Sequence, residues 1–195
     1  MTTTAVIACG ALVGHVQEIA LRNDLDLYIQ AIDPLLHNRP SEIAPAVERE
    51  IARLSVIYPN LAVAYADCGT YGALDELCVR YNLKRLVGQH CYDVFFGAKN
   101  LQNEFESEPG TYLLTDYLVR TFKQSVESEL GLDKYPFLRD DYFHGYRRLL
   151  WIAQHPTAEL NIAADQIAKK LNLNLEVIHV GDMLLEQQLL TLVAK

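Results

Sequence analysis

No apolar run in this chain approaches the roughly 20 residues that a membrane-crossing helix needs, so a spanning segment is not expected. The opening MTTTAVIACGALVG has no basic stretch of the kind that begins a secretory signal, which argues against export. Only four cysteines occur and none forms a C-x-x-C pair, so the ordinary zinc-ribbon and ferredoxin spacings are missing. Four thiols without a secretion signal read as reduced cysteines of a cytoplasmic protein, not as a disulfide framework. Neither G-x-G-x-x-G nor a Walker sequence is present, which leaves a nucleotide without support. Positive charge is the scarcer sign: 17 Lys and Arg face 25 Asp and Glu, a formal net charge of −8. A negative field repels a phosphate backbone, so nucleic acid is a poor partner. The compact basic clusters are pairs, Lys84-Arg85, Arg147-Arg148 and Lys169-Lys170, and read as solvated helix surface. Internal repeats, low-complexity tracts and linkers are absent as well.

What is present is alternation. Apolar runs and helical patterns follow one another from end to end, the signature of an α/β fold. Strands are expected over residues 5–9, 25–32, 61–66, 84–87, 111–114 and 175–180. Helices are expected between them, with stripes such as Ile43, Val47, Ile51 and Leu54 behind a Ser41 cap. The segment 140–171 reads as two helices separated by His155-Pro156, the first striped by Phe143, Tyr146, Leu149, Leu150 and Ala153. Asp116 is expected to cap the helix after the fifth strand. Thr111, Tyr112 and Thr115 put hydroxyls there too, serving either a pocket or, preferably, the cap. A chain of 195 residues, half of them hydrophobic, suits one core. The expected architecture is a single doubly wound domain over residues 1–195, Rossmann- or flavodoxin-like. Its sheet is mostly parallel and its C-terminal part helical.

Three of the cysteines, Cys9, Cys68 and Cys91, each follow a short apolar run that reads as a buried strand. Neighbouring strands lie about 4.8 Å apart, so thiols just beyond three adjacent strands share one rim of the sheet. Open α/β sheets place ligands at that rim. A strand order 2-1-3-4-5 would bring the first, third and fourth strands side by side. Three soft ligands suit zinc with a fourth group, or an iron–sulfur cluster held at three corners. The plainer account is three small buried residues, since free cysteine is among the most buried types. Cys78, within the stripe Leu74, Leu77, Cys78 and Tyr81, reads as core.

Other residues crowd the same loops. His37 and His90 are each a candidate fourth ligand or general base, or simply loop histidines bonded to local backbone. Asp67 is a candidate acid or base, or the anchor of its own turn. Arg39 has the fork that grips a carboxylate or phosphate, although a salt bridge serves it equally well. Gly10 and the Gly69-Thr70 turn let backbone approach a ligand closely.

ACGAL (8–12), LLHNRP (35–40), YADCGTYGALD (65–75), GQHCYDVFFG (88–97), EPGTYLLTDYL (108–118), GLDKYP (131–136) and YFHGYRRLLWIAQ (142–154) together resemble the signature blocks of a prokaryotic domain family of unknown function. The resemblance implies no reaction. It implies an association of some relatives with corrinoid-dependent methyltransferase systems. Three readings follow. The first is a metal- or cluster-binding protein with Cys9, Cys68, Cys91 and His37 as ligands, Asp67 and His90 as acid–base groups, and Gly10, Gly69, Thr70 and Arg39 lining the site. Its ligand would be a small anionic or methylated molecule. The second is a metal-free enzyme with a cysteine nucleophile. The third is a non-catalytic accessory protein that docks to a methyltransferase system. A homo-oligomer stays open under all three.

Overall fold

The structure, a computed structural model, describes residues 3–194. The chain divides into two compact units, Met1–Val94 with Asp182–Lys195, and Phe95–Gly181. Among the described residues no helix is long and apolar enough to cross a membrane. Each unit is built on a three-stranded parallel sheet, so the α/β class read from the alternation holds.

The first unit begins with β1 (Thr4–Cys9), α1 (Val13–Arg22) and β2 (Leu27–Ile32). Two short 3-10 turns, Pro34–Asn38 and Pro40–Glu42, lead into α2 (Ile43–Leu54), then β3 (Asn60–Ala64) and α3 (Ala73–Arg80). The sheet order is β2-β1-β3, all parallel, with Cys9 opposite Ile32 and Ala8 opposite Ala64. The expected fourth strand shrinks to one parallel bridge, Val63 with Arg85. Val63 N–H donates to the Lys84 carbonyl at 3.1 Å, and Leu86 N–H to the Val63 carbonyl at 3.2 Å. The run 2-1-3-4 is therefore present, its last member a single pairing. Every residue of β1 is buried, as a central strand covered on both faces must be. The crossovers from β1 to β2 and from β2 to β3 run in opposite directions. With right-handed connections they put α1 and α2 on opposite faces.

Val16 and Ile19 of α1 and Ile43, Val47, Ile51 and Leu54 of α2 are the buried stripes, as their spacing dictates. Burying each such side chain contributes about 1.5–3 kcal/mol. The Ser41 cap is not formed. The chain enters α2 from the Pro40–Glu42 turn, with Glu42 at the cap position and no side-chain bond. The last helix, α9 (Met183–Val193), belongs to this unit and buries Leu185 and Leu189. Arg22 ties it down through Asp182 at 2.8 Å and Glu186 at 2.6 Å. Gln188 Oε1 accepts from Val87 N–H at 2.7 Å, so α9 also holds the segment that leads towards Cys91.

Helices α4 (Cys91–Phe96) and α5 (Ala98–Ser107) meet at Gly97, whose φ of 88° breaks the helical run. The second unit then carries β4 (Thr111–Thr115), α6 (Asp116–Phe122), a π-helical turn Lys123–Ser128 and α7 (Leu138–Phe143). It ends with β5 (Arg148–Ala153), α8 (Ala158–Leu171) and β6 (Asn174–His179). The order is β4-β5-β6, all parallel. Residues 148–153 thus form the central strand, not the expected helix. All six are buried, and over so short an apolar run a two-sided strand and a buried helix look alike in sequence. Arg148 is not solvated either. It bonds Thr111 Oγ1 at 2.9 Å and pairs with Glu104 at 2.9 Å and Glu176 at 3.0 Å. The cap of α6 is Thr115, whose Oγ1 accepts from Leu118 N–H at 3.4 Å. Asp116 is fully buried and accepts instead from Trp151 Nε1, Gln154 N–H and His155 N–H at 2.8, 3.1 and 2.7 Å.

Candidate functional site

Every cysteine singled out at the rim lies in the first unit. Cys9 closes β1 and is buried. Cys68 lies just past β3 and is buried, and Cys91, half-buried, opens α4. Backbone pairing continues beyond the strands and joins two of these positions. Asp67 N–H donates to the Gly88 carbonyl at 3.0 Å and Cys68 N–H to the Gln89 carbonyl at 2.7 Å. The loops bearing Cys68 and Cys91 are thus stitched to each other.

The turn that presents Cys68 is unusual. Cys68, Gly69, Tyr71 and Gly72 have φ of 51°, 82°, 52° and 90°, all in the left-handed region. Two of the four are not glycine, a conformation that costs of order 1–3 kcal/mol at each site and persists only where the surroundings impose it. Asp67 imposes it. Its carboxylate accepts from Thr70 Oγ1 at 2.6 Å, Gly72 N–H at 3.0 Å and Tyr71 N–H at 3.2 Å. Burial alone would raise the Asp67 pKa, but these donors together hold it below the usual carboxylate value. Thr70 Oγ1 accepts in turn from Leu74 N–H at 3.4 Å and steadies the start of α3. On the other loop Asp93 does similar service. It accepts from Gln89 N–H at 2.7 Å and His90 N–H at 3.1 Å, just ahead of Cys91.

The three thiols lie within electrostatic reach of one another. Burial pushes Cys9 up to about 11, against N–H groups of Ala11 and Leu12 that pull it down. Burial also raises Cys68, and the Cys91 and Cys9 sulfurs raise it further. Cys91 rises to about 12 by burial, with Cys9 next among the causes. Among the described residues the three sulfurs are not all within 4.8 Å of one another.

Tyr65, which the sequence reading passed over as the end of a strand, stands among these thiols. It is wholly buried, and Cys9, Cys68 and Cys91 all act on its hydroxyl. Cys9 is near enough for the sulfur and the phenol to shift each other's titration. The hydroxyl nonetheless makes no hydrogen bond of normal geometry. His37 stacks on the Tyr65 ring, centroids 5.6 Å apart and planes 17° from parallel. Its Nδ1 is 2.7 Å from the Pro34 carbonyl, and a carbonyl only accepts, so Nδ1 carries the proton and Nε2 keeps its lone pair. Burial chiefly, and then His90, hold its pKa below the usual value, so the ring is neutral near pH 7.

Gly10 explains how His37 comes here. A Cβ at this position would stand 2.7 Å from Pro34 Cδ and 2.9 Å from the Ile32 carbonyl oxygen. The glycine lets the Pro34–Asn38 turn close onto the end of β1. Gly69 likewise meets Pro40, whose Cγ would be 3.3 Å from an added Cβ. His90 is exposed beside Tyr92, ring centroids 6.4 Å apart. Arg39 is largely exposed and pairs with Glu42 at 3.4 Å.

A 2-1-3 parallel sheet wound on both faces, with Cys9, Cys68 and Cys91 following its strands at the carboxyl edge, defines an α/β protein of the class whose ligands, where present, sit at that rim. The chain belongs to a family described as protein of unknown function (DUF1638), which matches it over residues 31–189. The matched span includes His37, Tyr65, Cys68 and Cys91 and begins after Cys9. No curated protein and no solved structure matches the chain.

Proposed function

We propose that Cys9, Cys68 and Cys91 hold an iron–sulfur cluster through three thiolates, with His37 at or beside the fourth corner. The observation that carries this reading is the gathering of two buried thiols and a half-buried one around a buried phenol that makes no hydrogen bond. A lone tetrahedral zinc draws its thiolates to within about 3.8 Å of one another, given Zn–S bonds of about 2.3 Å. A cluster binds each thiolate to a different iron and spreads them farther apart, in keeping with three sulfurs that are not all within 4.8 Å of one another.

The titration of the thiols agrees. Near pH 7 all three are protonated in the absence of a cation, the reverse of what a cysteine nucleophile needs. A bound metal supplies the positive charge that makes them thiolates. His37 supports the same reading, because a ligating histidine commonly donates its other N–H to a backbone carbonyl, as Nδ1 does here. Three thiolates leave one iron open to a small ligand, with His37 and Tyr65 beside it. The polar groups of Asp67, Thr70 and Arg39 already have local partners, so they serve to shape the rim.

The test is anaerobic purification with iron and acid-labile sulfide measured alongside the visible spectrum, repeated for Cys9→Ser, Cys68→Ser and Cys91→Ser. The expected result is iron and sulfide in near-equal amounts in the unaltered chain and their loss in all three variants. Wild-type protein that takes up neither on reconstitution overturns the reading. Retention in Cys9→Ser alone removes that thiol from the ligand set.

A further inference from the structure

A buried phenol without an acceptor is uncommon, because leaving such a donor unmade forfeits a hydrogen bond that water would have supplied. Tyr65 is in that position at 0% exposure, and its surroundings offer little relief. His37 lies flat against the ring, where a stacked neighbour cannot take an in-plane O–H. The polar groups grouped with the hydroxyl are the three cysteine sulfurs, and sulfur of a free cysteine is a weak acceptor. A thiolate or a cluster sulfide is a far better one. The hydroxyl is thus short of a strong acceptor.

We infer that Tyr65 is a positioning residue that donates its hydroxyl proton, as a hydrogen bond, to a sulfur of the loaded centre, Cys9 Sγ being the candidate acceptor. This rests on the three-thiolate reading above and adds a role for a residue outside the ligand set. Donation to a coordinated sulfur withdraws charge from it, so it favours the reduced state of the centre and slows loss of metal. Hydrogen bonds to charged acceptors are roughly twice as strong as neutral ones, which is why the gain falls on the loaded state.

Tyr65→Phe keeps the ring, its burial and its stack on His37 while removing only the hydroxyl. In the metal-free protein the variant is expected to be as stable as wild type or more so, since an unmade donor has been removed. In the reconstituted protein it should release iron to a chelator about tenfold faster, the size of a charge-assisted hydrogen bond. It should also be reduced at a lower midpoint potential. A fluorinated tyrosine placed at position 65 is a stronger donor and should move the midpoint the opposite way from Phe. Equal midpoints and release rates in the three loaded proteins overturn the inference while leaving the cluster reading standing. A purely structural tyrosine would lower the stability of the metal-free Phe variant and leave the potential unmoved, which also overturns it. Wild type that takes up no iron and sulfide removes both together.

Discussion

Asp67 takes three donors on one carboxylate, and the consequences can be read residue by residue. Asp67→Asn retains one acceptor oxygen and turns the other into a donor facing donors. The loss expected is about 1–3 kcal/mol, checked by urea denaturation of the metal-free protein. Because a strained turn depends on those bonds, the loss should be accompanied by faster proteolysis near Tyr71, which is 98% exposed. Gly10→Ala makes a different test. Its Cβ would press on the Ile32 carbonyl and on Pro34, neither of which is a flexible side-chain end, and overpacking of that kind costs about 1–3 kcal/mol. That variant should also loosen the turn that carries His37, so its iron uptake should fall even under conditions where it remains folded.

At the scale of elements, capping separates what the sequence displays from what it hides. Thr157 accepts from Leu160 N–H at 3.3 Å at the start of α8, whereas Ser41 caps nothing at the start of α2. Thr157→Ala should therefore cost about 1 kcal/mol and Ser41→Ala almost nothing, by thermal or urea melts. Both are hydroxyl residues shortly ahead of a helix, and only Ser41 was expected as a cap. The difference lies in the Pro40–Glu42 turn, which supplies a different entry to the helix. The α2 stripe was legible because a 3.6-residue period survives whatever covers it. Residues 148–153 were not, since a strand buried on both faces has no alternation to display. The three cysteines were legible by position, each following an apolar run. Tyr65 was not, for nothing in YADC distinguishes a phenol with a partner from one without. Asp93 escaped notice for a similar reason, its role being set by two backbone N–H groups.

The whole molecule responds to pH through groups of its second unit as well as at the rim of the first. Burial chiefly, with Tyr146 adding, raises Tyr112 in the second unit from 10.0 to about 12. A raised folded pKa leaves stability intact below pH 10 and removes it as pH rises towards 12, at a limiting slope of about 1.4 kcal/mol per pH unit. Alkaline melts of wild type should show this decline between pH 10 and 12, and Tyr112→Phe should lack that part of it. At the rim the sign concerns protons released. On the proposed cluster reading, thiols protonated near pH 7 must lose their protons to bind metal, so apparent affinity should rise with pH, and loading in weak buffer should acidify the solution.

The first unit is closed by α9, made some ninety residues after Cys91, the last of the rim thiols. Gln188 of that helix holds Val87, and Arg22 of α1 waits for Asp182 and Glu186 to arrive. During synthesis, then, all three rim cysteines emerge well before the helix that steadies their neighbourhood. A nascent chain that stalls or is clipped before residue 182 carries three thiols on an unfinished scaffold. Maturation is thereby ordered in time: translation through α9 comes first, and a settled rim comes after.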